Sequence, residues 1–126
     1  MTDEELKYYE VLQPVLGKHL KTIATGDRYY HIADKRMILV RDAYNSPYSP
    51  DFFKLHCIAI PLPVDPENPE RGLWVMIKGL RSLHSRSGEW EVNIFDEGYV
   101  IISTHKGKTP ALALLKALAA QEGIAI

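Results

Sequence analysis

The sequence predicts a single α+β domain over residues 1–126. A mostly antiparallel sheet of about five or six strands carries the N- and C-terminal helices on one face. Three observations lead there. Residues 88–104 alternate apolar and polar around Asp96, Glu97 and Gly98, the pattern of a β-hairpin with one covered face. Residues 109–120 open on Thr109-Pro110, an N-cap followed by a proline at N1, and place Ala111, Leu114, Leu115 and Leu118 on one helical stripe. The chain has 126 residues, 46% hydrophobic and 25% charged, the composition of a folded chain with one core of its own.

At the N-terminus, Thr2 and Glu5 have the spacing of a capping box, and Asp3, Glu4 and Glu5 suit the positive end of a helix dipole. Tyr8, Tyr9, Leu12 and Leu16 then recur at helical spacing, until Pro14 ends or kinks the helix and Gly17 reinforces the stop. Gly26-Asp27 marks a turn. Residues 28–32 and 36–41 read as strands around Ala33, Asp34 and Lys35, the second having the apolar run of a central strand. Residues 42–50 are a loop broken by Asn45, Pro47 and Pro50, and Phe52 to Ile60 resumes as a strand. Residues 61–72 hold four prolines and read as an irregular exposed loop. Leu73 to Ile77 has the composition of a short buried strand, and the polar, basic stretch 79–87 that of a connector with one or two helical turns. In the hairpin, Trp90, Val92 and Ile94 alternate with Glu89, Glu91 and Asn93, and Gly98 suits a positive φ in the turn. The expected order is α-β-β-β-β-(α)-β-β-α.

Composition also limits the function. The net charge of −1 lacks the basic excess of a dedicated double-stranded DNA binder. The lone cysteine, Cys57, cannot make an intrachain disulfide, which points to a reducing, cytoplasmic setting. No apolar run reaches the roughly 18 residues of a membrane span, and the acidic start lacks the features of a signal peptide.

No motif of strong specificity for catalysis is present. The five histidines are scattered without Cys-x-x-Cys, His-x-x-x-His or His-Glu-x-x-His spacing, so no metal site is expected. His56 and Cys57 are adjacent in an expected strand, where their side chains would point to opposite faces. Cys57 reads as a small buried hydrophobe rather than a nucleophile. Phosphate loops, dinucleotide fingerprints and nucleophile elbows are missing, and no cofactor is expected. Three constellations remain. Tyr44, Tyr48, Phe52 and Phe53 cluster around prolines and could form a contact surface for a protein partner, or fold back as a lid over the sheet. Lys78, Arg81, His84 and Arg86, with Ser82 and Ser85, could hold phosphate, or form a solvated connector. Arg28 to His31 with Lys35 and Arg36 mixes aromatic and basic groups, as single-strand binders do, though strand tyrosines are commonly packing residues.

Residues 88–120 resemble the tail of small phage- and prophage-associated proteins of unassigned function. The resemblance rests on Glu89-Trp90-Glu91-Val92, on Asp96-Glu97-Gly98 and on the helix opening at Thr109-Pro110, with Ala113-Leu114 in the expected positions and the usual acidic residue after the proline missing. The same Thr-Pro opening also occurs in HicB-type antitoxins. No functional residue carries over.

The expectation is therefore a non-enzymatic binding or accessory protein of phage or prophage type, acting through a protein-interaction surface at Tyr44, Tyr48, Phe52 and Phe53. The alternative is nucleic-acid or phosphate binding, HicB-antitoxin-like, through Lys78, Arg81, His84 and Arg86. A weaker third reading is a small hydrolase using His31 or His84 as base. Homo-oligomerisation stays open: a sheet face left uncovered would put Trp74 against a second copy.

Overall fold

The computed structural model describes residues 1–126. In chain order the elements are α1 (Asp3–Val11), α2 (Gln13–His19), β1 (Arg28–His31), β2 (Arg36–Leu39), α3 (Pro50–His56), β3 (Cys57–Ala59), α4 (Leu73–Met76), β4 (Leu80–Arg86), β5 (Glu89–Phe95), β6 (Ile101–Gly107) and α5 (Pro110–Gln121), with a 3₁₀ turn at Pro69–Arg71. The chain is α+β with six strands, and all pairings are antiparallel. The strands divide into two three-stranded sheets, β2-β1-β3 and β4-β5-β6, rather than the one sheet expected.

The caps legible in the sequence are made as the residue types require. Thr2 Oγ1 accepts the Glu5 amide at 3.2 Å, and Thr109 Oγ1 accepts the Leu112 amide at 3.1 Å. Pro14 lies in the first turn of α2, where its missing N–H costs nothing, so it restarts the helix after a break at Leu12. Gly17 lies inside α2 and does not end it.

Five segments differ from expectation. Of the strand expected over 52–60, only 57–59 forms one, and 52–56 belong to a helix over 50–56, because Ser49 caps it, its Oγ accepting the Phe52 amide at 3.2 Å, and Pro50 occupies the first turn. His56 therefore ends a helix and Cys57 begins a strand. Leu73–Met76 is one helical turn rather than a strand. It buries Leu73, Met76 and Ile77, which stand at i, i+3 and i+4, and hangs from the proline loop by Leu73 N–H to Leu62 O and Trp74 N–H to Pro63 O, both 2.9 Å. The basic stretch 80–86 is strand β4, joined to β5 by Ser87 and Gly88 at φ 52° and 81°, the two-residue positive-φ turn of a tight hairpin. In the β5–β6 turn Tyr99, at φ 61°, takes the left-handed conformation, and Gly98 does not. Within the first sheet β1 is central and β2 lies at the edge, the reverse of the expectation for residues 36–41.

The main core joins Tyr9, Leu12 and Leu16 of the N-terminal helices to Ile58, Ile60, Leu73, Met76, Val92 and the apolar stripe of α5. Leu114, Leu115 and Leu118 are fully buried, and truncating any one to Ala would cost about 2–5 kcal/mol. Strand β6 meets α5 so closely at Gly107 that a Cβ there would lie 2.8 Å from the Ala113 amide nitrogen. A second, smaller core of Tyr29, Ile38, Val40, Phe53 and Cys57 lies under β1 and α3. An ion pair ties the segment after α2 to the proline loop. Arg71 Nε and Nη2 each donate to the Asp27 carboxylate at 2.7 Å, and Nη2 also reaches Thr22 O at 2.6 Å.

Candidate binding cleft

The smaller core does not fill the space between α2 and α3. A cleft of about 770 Å³ opens there, within the range of ligand-binding clefts. One wall is Gln13, Pro14 and Gly17 of α2 with the segment 20–23. The floor is Tyr29, Cys57 and Ala59, and the far wall is the 43–48 loop with Pro50, Asp51, Phe53 and Lys54.

Local chemistry fixes both walls. The segment after α2 is clamped by the Asp27–Arg71 pair, and Asp27 Oδ2 also accepts the Ala24 amide at 2.9 Å. The Asp27 hydrogen bond raises the Arg71 pKa above its ordinary value, so the clamp keeps its charge. The far wall is an Asx turn. Asp42 Oδ1 accepts the amides of Tyr44 at 2.9 Å and Asn45 at 3.3 Å, Asn45 Nδ2 donates to Oδ2 at 3.0 Å, and the Ala43 amide donates to Thr25 Oγ1 at 3.0 Å. The Asn45 side chain and the Tyr44 amide hold the Asp42 carboxyl below the usual carboxylate range. At the floor, Gln13 acts as a substitute strand at the open edge of β3: its Oε1 accepts the Ala59 amide at 2.9 Å and its Nε2 donates to Ala59 O at 3.1 Å. The Cys57 thiol is buried there, and that burial raises its pKa.

The four aromatic residues expected to form a partner surface divide into three roles. Phe53 is a core residue, 4.4 Å from Tyr29 between ring centroids. Tyr48 and Phe52 stack on one another at 4.5 Å and are half-buried, Tyr48 also accepting from Arg36 Nη2 at 3.2 Å. Tyr44 is 97% exposed on the loop that supplies Ala43 and Ser46 to the cleft. Tyr48, Phe52 and Phe53 thus fold back over β1, and Tyr44 is left exposed on the 43–48 loop.

The four basic residues do not converge. Lys78 precedes β4, while Arg81 lies on the opposite face of that strand from His84 and Arg86. The Arg81 guanidinium stacks on Trp74 at 4.4 Å and donates to Gly79 O at 2.8 Å, which covers the tryptophan with the protein's own side chain. His84 Nε2 meets Glu91 Oε2 at 2.7 Å, and Lys106 Nζ lies 3.8 Å from the same carboxylate. Burial alone would raise the Glu91 carboxyl. The His84 hydrogen bond and the charges of Arg86, His84 and Lys106 outweigh it and hold the group below its usual value. On this face cations alternate with Glu89 and Glu91, and the field is largely cancelled. Neither His31, whose Nδ1 lies 2.9 Å from Asp34 Oδ2, nor His84 lines the cleft.

No group of three or more His, Cys, Asp or Glu side chains is placed to hold a metal ion, and no helix is long and apolar enough to cross a membrane. No family model, curated protein or solved structure matches the chain. Gly17, Lys21, Asp51 and Lys54 are not legible as site residues in the sequence. They come from separate stretches and meet only in the folded chain.

Proposed function

We propose that this protein is a non-enzymatic binding module that takes an extended segment of a protein partner into the cleft between α2 and α3. The observation that carries the reading is a large cleft whose walls are already fixed by hydrogen bonds. A preorganised surface loses little conformational entropy on binding. Tyr44 stands exposed on the 43–48 loop beside the cleft, its backbone amide held by Asp42, and a tyrosine side chain with two rotatable bonds is a favourable contact group at low entropic cost. Lys21 and Lys54 line opposite walls and enter no salt bridge, against the single carboxylate of Asp51. A segment with apolar side chains and an acidic residue is the complementary occupant. The phage-type resemblance adds nothing to this site, since none of residues 88–120 lines it.

Gly17 supplies a clean test. A Cβ added there meets nothing within 4 Å, so a large side chain can enter the cleft without displacing the fold. Replacing a helix-interior glycine also stabilises by several tenths of a kcal/mol up to ~1 kcal/mol. Gly17→Phe should melt at or above the wild-type temperature, yet lose binding to peptides selected from a displayed random library on the wild-type protein. Tyr44→Ala should weaken the same peptides about tenfold. Selected peptides should slow the reaction of Cys57 with a thiol reagent. Peptides that bind Gly17→Phe as well as the wild type, or no selectable peptide at all, would overturn the proposal.

A further inference from the structure

The four edges of the two sheets are not treated alike. The edge of β3 is closed by the Gln13 amide. The edge strand β4 carries Lys78 and Arg81 at one end and Arg86 at the other, whereas β2 has both signs at each end, Asp34 with Lys35 and Arg36 before it and Arg41 with Asp42 after it. Antiparallel pairing of β4 with its own copy would place cations against cations, an effective guard against self-association.

Strand β6 lacks charges of one sign at both ends; its one irregularity is a bulge at Ile102, between the pairs Ile94–Ser103 and Phe95–Ile101. Its backbone is hydrogen-bonded to β5 and to no other segment. It contains no proline, and its one Lys, Arg, Asp or Glu is Lys106, near its far end. The turn and first residues that lead into it form an exposed apolar strip, with Tyr99 77%, Val100 60%, Ile101 52% and Ile102 63% exposed. Its two ends carry opposite charge, Asp96 and Glu97 before it and Lys106 and Lys108 at and beyond its end.

We infer that the β6 edge is a self-association surface, at which two copies of this chain pair antiparallel across a two-fold axis into one six-stranded sheet. A two-fold axis presents the same strip on both copies, so Tyr99–Ile102 of each would be covered in one step. The same axis sets the acidic turn of one copy beside the lysines of the other, twice per dimer. A parallel arrangement would oppose like charges. Complementarity therefore selects the antiparallel partner, and the only chain certain to carry it is a second copy. This surface lies apart from the cleft, so the inference stands independently of the binding function.

Sedimentation of the full chain from ~10 µM to ~1 mM should show a dimer fraction that grows with concentration. Ile102→Lys puts a charge in the strip and should leave the protein monomeric throughout. Glu97→Lys lies in the turn, outside the ladder, and should weaken the dimer about tenfold, because symmetry repeats each pair twice. Glu97→Lys with Lys108→Glu should recover most of that loss. A monomer at every concentration would overturn the inference and leave the strip to a different chain. So would an Ile102→Lys or Glu97→Lys variant that dimerises as tightly as the wild type.

Discussion

Breaking the Asp27–Arg71 clamp by Arg71→Met should be among the most damaging single changes outside the main core. The two side chains are only 8% and 12% exposed, and two 2.7 Å hydrogen bonds make the pair bidentate. Met retains the apolar stem but leaves the Asp27 carboxylate with only the Ala24 amide. Removing one partner of a buried pair costs about 3–5 kcal/mol. Because the Arg71 guanidinium reaches solvent along one edge, the low end applies, about 3 kcal/mol. A chain of this length has an unfolding entropy near ~0.26 kcal/mol/K, so the melting temperature should fall by about 11 °C. Calorimetry on Arg71→Met, Asp27→Asn and the double variant measures this directly. The double variant should lose about 2 kcal/mol less than the two single losses together. Because Arg71 Nη2 also holds Thr22 O, one cleft wall should open more often, and Cys57 at the floor should react faster with a thiol reagent. A fall in melting temperature below ~3 °C, or fully additive losses, would refute the reasoning.

Two further outcomes are expected. Gly107→Ala places a Cβ 2.8 Å from both the Ala113 amide nitrogen and Leu112 Cβ, so it should cost about 2 kcal/mol, whereas Gly98→Ala, whose Cβ meets only Asp96 Oδ1 at 3.4 Å, should be nearly silent; thermal melts separate them. Glu91→Gln tests the acid side. The folded carboxyl lies below its ordinary value of 4.5, so its contribution is present above that pH and is lost as pH falls through the lower folded value. The stability gap between wild type and Glu91→Gln, measured by urea unfolding, should thus be widest near neutrality and close in acid; a gap that widens on acidification would contradict the assignment.

The elements legible in the sequence are those whose signals are local. Thr109-Pro110 reads as a helix start, yet Ser49-Pro50, the same cap and proline, reads as a loop breaker. The difference lies downstream of the proline: residues 111–119 carry an unbroken apolar stripe, while α3 has only seven residues and buries Phe53 alone. A short helix offers too few turns for periodicity to show, and α4 is shorter still. Strand β4 is hidden for another reason. Its outer face is polar, His84 and Arg86 being matched by Glu91 and Glu89 across the ladder, so alternation in β4 alone looks like a charged connector. The tight turn at Ser87-Gly88 is the available signal. The cleft has no local signal at all, since its walls are joined by contacts such as Arg71 to Thr22 and Gln13 to Ala59, which span 49 and 46 positions.

The β5–β6 turn shows how a correct local reading can hide a surface. Asp96, Glu97 and Gly98 read as turn residues, but the turn uses only one of the two carboxylates. Asp96 Oδ1 accepts the amides of Gly98 at 2.9 Å and Val100 at 3.0 Å, while the Glu97 side chain enters no hydrogen bond or salt bridge. Lys108, beyond the other end of β6, is equally unengaged. Turn chemistry explains why a small polar residue stands at position 96. It gives no reason for a carboxylate at 97, nor for Tyr99, Val100, Ile101 and Ile102 in water beside it. A surface charge without a partner is ordinarily held by solvent; beside an apolar strip that the core does not cover, it is what the proposed pairing of two copies would use. If two β6 edges pair as proposed, the unused carboxylate and lysine at opposite ends of the strand would meet across the two-fold axis.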